Sequence, residues 1–108
     1  MKEVITNDQE KNAQALLALR QVYDPEIGLN IVDLGLIYQI DFDEDNKIIF
    51  VSMTLTTQFC PMGESIVDGV TQALQQTFPG DSIQVDLTFN PPWSYELISE
   101  EGRKFLNR

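Results

Sequence analysis

KIIFVSMTLTTQFCPMGESIVDGVTQALQQTF, residues 47–78, changes its hydrophobic period in the middle. From Lys47 to Thr56, Ile49, Val51, Met53 and Leu55 share one side, while Ser52, Thr54 and Thr56 take the other. That period of two marks a strand with one buried face. Further on, Ile66, Val67, Val70, Ala73, Leu74 and Phe78 recur at helical spacing and form the clearest amphipathic helix in the chain. Between the two lies TLTTQFCPMG, residues 54–63, which holds the only cysteine, Cys60, directly before Pro61. Proline suits the first position of a helix, where its missing N–H costs nothing, so Cys60 is expected at the N-cap. A thiol there meets unpaired backbone N–H groups and the positive end of the helix dipole, both of which favour thiolate.

Downstream, Pro79-Gly80 ends the helix. Ile83, Val85, Leu87 and Phe89 then alternate with Gln84, Asp86 and Thr88, predicting another strand with one buried face. Asn90-Pro91-Pro92-Trp93 cannot continue a sheet, because proline lacks the donor. A last short helix is expected from Ser99, with Glu100 and Glu101 in its first turn and Arg103 and Lys104 towards its end.

Upstream, Gly35 opens an alternating strand in which Leu36, Tyr38, Ile40 and Phe42 share a face, and residues 43–47 form a hairpin loop to the next strand. Asp24, Pro25 and Gly28 mark a turn. Before it, Ala15, Leu16, Leu19, Val22 and Tyr23 fall on one face of a helix capped by Asn7, with Glu10 three residues on, and stopped by Pro25. Residues 1–6 read as a frayed end. The order is α-β-β-α-β-α. It predicts a single α+β domain over residues 1–108, a two-layer sandwich whose three-stranded mixed sheet is covered by helices.

Composition narrows the function. The 108 residues fit one compact core, and a hydrophobic fraction of 43% argues against wholesale disorder. Seventeen acidic and seven basic residues leave a net charge of −10, a field that repels a phosphate backbone and disfavours nucleic acid. No cationic amphipathic helix or long apolar run points to a membrane. The N-terminal segment lacks the apolar core of a signal peptide. A lone cysteine cannot form an internal disulfide, which agrees with a reducing compartment, and a cytoplasmic protein is expected.

The sequence holds no histidine. Cys-His and Ser-His-Asp machinery and histidine metal sites are therefore excluded within one chain. One thiol is too few for an iron–sulfur cluster, which usually takes four cysteine ligands. Cys60 reads either as a small buried hydrophobe or as a functional thiolate. Asp24, Glu26 and Asp33 read as turn formers, or as carboxylates facing the thiol that ligate a metal or meet a partner. Thr54, Thr56 and Thr57 are strand residues whose hydroxyls are satisfied locally, supporting the Cys60 loop. Trp93 reads as a plug over the end of the core, and its indole also suits an interface.

DPEIGLNIVDLGLIY (24–38), TLTTQFCPM (54–62) and NPPW with the later SEEGR (90–93, 99–103) stand in this order. Together they resemble the small metal–sulfur cluster biosynthesis domain family, which includes the SufT and PaaD proteins and a subunit of the eukaryotic cytosolic iron–sulfur targeting complex. The match runs over roughly residues 12 to 106. The resemblance implies the fold of iron–sulfur cluster assembly domains and a non-enzymatic role in maturing or delivering clusters to client apo-proteins, with assembly proteins as partners. It implies that Cys60 of the T-x-T-x-x-x-C-P motif (Thr54, Thr56, Cys60, Pro61) is the functional thiol, and it aligns the family's D-P-E turn with Asp24, Pro25 and Glu26. Iron or a cluster would be bound transiently at most. Gln58 and Phe59 stand where the family pattern has proline and a small residue. No cysteine-rich extension of the PaaD kind follows the last helix, which favours a SufT-like protein. A homodimer bringing two Cys60 thiols together, a thiol enzyme with Cys60 as nucleophile, and an interaction module with a buried cysteine are the competing readings.

Overall fold

A computed structural model describes residues 4–56 and 63–107. Its elements are β1 (Ile5–Thr6), α1 (Gln9–Leu19), β2 (Ile37–Asp43), β3 (Ile48–Met53), α2 (Gly63–Thr77), β4 (Ser82–Leu87), a 3-10 turn at Tyr95–Leu97, and α3 (Glu100–Leu106). The α+β class and the mixed sheet are as expected. The strand number is not: four strands run in the order β1-β2-β3-β4, with β1 parallel to β2, β2 antiparallel to β3, and β3 parallel to β4.

The additional strand comes from the segment read as frayed. Ile5 and Thr6 lie beside Gln39 and Ile40. Asn7 then extends the pairing with its side chain: its amide donates to the Phe42 carbonyl at 3.0 Å, and the Phe42 N–H donates back to Oδ1 at 2.9 Å. Because Asn7 is engaged there, the cap of α1 is Asp8, whose Oδ1 accepts from the Lys11 N–H. The helix also ends well before Pro25. Gln21 and Val22 close tight turns onto Ala18 and Leu19, the Ile31 N–H then claims the Val22 carbonyl, and Tyr23 lies exposed beside Asn30.

The strand–turn–helix reading of the central segment holds. Ile49, Val51, Met53 and Leu55 are buried, as are Ile66, Val70 and Leu74 of α2. They form one core with Ala15 and Leu19 of α1 and with Ile37, Ile40 and Phe42 of β2. Ile37, not Tyr38, joins that inner face, because the register slips between Ile37 and Gln39 and turns Tyr38 outward. Among the strand residues expected on a buried face, Leu87 and Phe89 remain exposed, at 44% and 38%. Gly69 brings α2 against the turn that follows α1: a Cβ there would stand 3.0 Å from Val22 Cγ1. Ser99 caps α3, its hydroxyl accepting from the Gly102 N–H at 3.0 Å.

Candidate functional site

The expected N-cap thiol, Cys60, with Thr57 and Pro61 beside it, lies outside the described residues. The described residues on either side are Thr56, after β3, and Gly63, at the start of α2. Because β3, α2 and β4 form a parallel crossover, both ends stand at the carboxyl ends of β3 and β4. Gly63 is tight there, since a Cβ would come within 2.8 Å of Leu55 Cδ1.

Three sequence motifs meet at that end of the sheet. Thr54 is fully buried, and its N–H donates to the Leu36 carbonyl at 2.9 Å. Its hydroxyl also hydrogen-bonds with the Tyr38 phenol. Burial pushes that phenol above its ordinary pKa, and the bond to Thr54 works against the rise. The Tyr38 hydroxyl donates in turn to the Pro91 carbonyl at 3.0 Å. Trp93 closes the circuit, its indole N–H donating to the Leu34 carbonyl at 2.6 Å while its ring packs on the core as the expected plug. Gly35, at φ +79, lets the Leu97 carbonyl approach into the space that any Cβ would need. A cavity of about 250 Å³ lies between this segment and the sheet, lined by Ile5, Tyr38, Gln39, Ser52, Asn90 and Leu97 among others.

The candidate carboxylates are placed by the same loop, with different roles. Asp24 is buried, and its Oδ1 accepts from the N–H groups of Glu26 and Ile27, the turn-forming use of an aspartate. Glu26 is exposed. Asp33 is buried and shared among three elements: Oδ1 takes Arg20 at 3.0 Å and the Ser99 hydroxyl at 2.9 Å, and Oδ2 takes the Asn30 amide at 2.6 Å. Its backbone carbonyl accepts from Ser99 as well. Burial pushes the Asp33 carboxyl up. The bonds from Asn30 and Ser99 and the Arg20 charge outweigh it and hold the group below its ordinary value. Among the described residues no three of Asp, Glu, Cys or His are grouped to hold a metal ion. Thr56 is half-buried.

Sequence reasoning missed Arg20, Asn30 and Ser99 as partners of Asp33. The Asn30-x-x-Asp33 spacing is a local signal, because the Asn30 side chain also accepts from the Asp33 N–H. Ser99, 66 positions away from Asp33, gave none. The Tyr38 to Pro91 bond was equally hidden, since it depends on the register slip in β2.

A small α+β domain in which three motif segments converge where β3 ends and α2 begins is the class these features define. The chain belongs to the iron–sulfur cluster assembly protein family, whose sequence profile matches residues 12–87. It is 44% identical over 86 residues to an Fe-S protein maturation auxiliary factor of Bacillus subtilis, covering 80% of this chain and 83% of that protein. It is 38% identical to the SufT maturation auxiliary factor of Staphylococcus aureus, over 76% of this chain and 92% of the other. A crystal structure of a domain of unknown function from Bacillus anthracis superposes with a TM-score of 0.85 at 36% identity, covering 92% of this chain and 93% of that one. No described helix is long and apolar enough to cross a membrane.

Proposed function

We propose that this chain is an auxiliary factor in the maturation of iron–sulfur proteins, working in the cytoplasm through the thiol of Cys60 as an adaptor or transient carrier. The observation that carries the reading is the extent of the similarity: relatives named as maturation factors match over most of their own length as well as most of this chain. The chemistry agrees with that role. A thiolate is a soft ligand for iron, while a single thiol without histidine leaves a cluster short of ligands. A cluster held this way is cargo, completed by ligands from an assembly partner or a client apo-protein and released readily. Asp24 and Asp33 contribute indirectly, because their carboxylates hold the 24–35 loop in place. Thr54 anchors the strand that leads into the thiol segment. No turnover is required of any residue.

Cys60→Ser tests the reading. The variant should fold and melt as the wild type does, while client iron–sulfur enzymes in cells that carry it fall to the activity of cells lacking the protein. Normal client activity would end the thiol's role. Anaerobic reconstitution with iron and sulfide separates the two modes. Visible absorption that depends on Cys60 marks a carrier, and no bound iron in either protein marks an adaptor.

A further inference from the structure

The outer strand β4 carries a surface that neither the family nor the thiol accounts for. Among the described residues β4 has a hydrogen-bonded neighbour on one side only. Which groups it leaves open follows from the ladder with β3. Ser82 and Thr88 donate their N–H groups to the carbonyls of Lys47 and Met53. Successive residues of a strand point their peptide groups to opposite sides, so the even-numbered residues face β3 and Ile83, Val85 and Leu87 turn theirs to the open edge. Those residues also carry the row of apolar side chains on the helix side, half-buried at Ile83 and Val85 and 44% exposed at Leu87. The strand contains no proline and one charge, Asp86, so it lacks most of the devices that blunt an edge.

We propose that β4 pairs antiparallel with β4 of a second copy of this chain, joining two four-stranded sheets into one. The strand's own sequence selects the occupant and the register. A two-fold axis through Val85 sets Val85 against Val85 and Ile83 against Leu87, so every open N–H and C=O finds a partner and each apolar side chain meets another. On the opposite face it sets Gln84 against Asp86, an amide beside a carboxylate. Moving the axis to Asp86 would oppose two carboxylates, and moving it to Gln84 would leave Leu87 against Asp81. The axis through Val85 is the register in which like charges stay apart and the apolar row is continuous. A dimer paired in this way would differ from one that brings the two thiols together. Antiparallel β4 strands send the two carboxyl ends, with Thr56 and Gly63, to opposite ends of the seam. The inference is independent of the cluster reading.

Sedimentation velocity over a concentration series, with hydrogen exchange followed residue by residue, tests the pairing. The wild type should shift towards twice its 12.3 kDa as concentration rises. The shift should strengthen when salt is raised to about 0.5 M, because screening relieves repulsion between two chains of charge −10. Leu87→Lys should raise the dimer Kd by about tenfold or more, with an unchanged monomer circular dichroism spectrum. Val85→Pro removes a donor that β3 does not use and should abolish the dimer. If that variant fails to fold, exchange on the wild type decides alone. The amides of Ile83, Val85 and Leu87 should gain protection with concentration, while Gln84 and Asp86 are protected throughout. A wild type that stays monomeric overturns the proposal, as does a dimer indifferent to Leu87→Lys or one that leaves those three amides unprotected.

Discussion

Asp33, one of the candidate carboxylates, is also a structural tie between three parts of the fold. Its place in the loop that leads from the 24–28 turn into the hairpin marks it as a candidate ligand, and among the described residues its side-chain hydrogen bonds are all internal. It binds the end of α1 through Arg20, its own loop through Asn30, and the start of α3 through Ser99. Asp33→Asn keeps the shape but sets an amide donor against at least one of those donors. Leaving a buried donor unmet costs about 1–3 kcal/mol, so the urea midpoint at pH 7 should fall accordingly. The pH dependence has a definite sign. A carboxyl held below its ordinary value contributes stability that is present above the unfolded pKa of about 3.9 and is lost as pH falls through the folded value. The gap between wild type and Asp33→Asn should therefore be constant from neutrality down to about pH 5 and close below about pH 4. A gap that persists at low pH would mean that the hydrogen-bond mismatch of the amide, and not the lost carboxylate charge, sets the difference.

At the scale of elements, what could be read in the sequence was whatever a local period or a stop signal encodes. The β3–α2 segment has both, and its buried residues are those the pattern assigns. What could not be read was decided by distant partners. β1 is two residues long and has no period, and it exists because the edge of β2 accepts it and because the Asn7 amide continues the pairing. α1 stops at Leu19 because the Val22 carbonyl is claimed by Ile31, a contact no helical pattern records. Gly102 illustrates the same conflict inside α3. By propensity, alanine in a helix interior is favoured over glycine by about 1 kcal/mol. Here a Cβ would stand 2.8 Å from Ile98 Cγ2, 3.0 Å from Leu29 Cδ2 and 3.2 Å from the Asp33 carbonyl. Overpacking of that kind costs about 1–3 kcal/mol, so Gly102→Ala should lower stability despite the better helix former. Chemical denaturation would settle it. A stabilised variant would show that α3 can shift on the 29–33 loop, and that its docking there is loose.

The whole molecule carries a charge of −10, and its few basic groups do little to offset it. Two ion pairs are found among the described residues: Lys11 with Glu44, exposed on the surface, and Arg20 with Asp33, whose carboxyl is nearly buried. An exposed pair is worth about 0–1 kcal/mol and weakens in salt, while a buried one is screened little. Against them stand the carboxylates of the 43–45 hairpin and the α3 start, whose mutual repulsion favours expansion. Repulsion at long range is what salt removes first, because the Debye length falls to about 8 Å at physiological strength. Raising NaCl from about 0.02 to 0.3 M should therefore raise the melting temperature, and a gain of about 1 kcal/mol would appear as about 4–8 °C in a domain of this size. The scan belongs at a protein concentration low enough for the midpoint not to depend on it. Salt also favours pairing of β4 edges, and association alone would raise the midpoint. A midpoint that falls with salt under those conditions would mean that local pairs such as Lys11–Glu44 outweigh the global field. In that case the acidic surface would be a set of short-range contacts, with no general repulsion for salt to relieve.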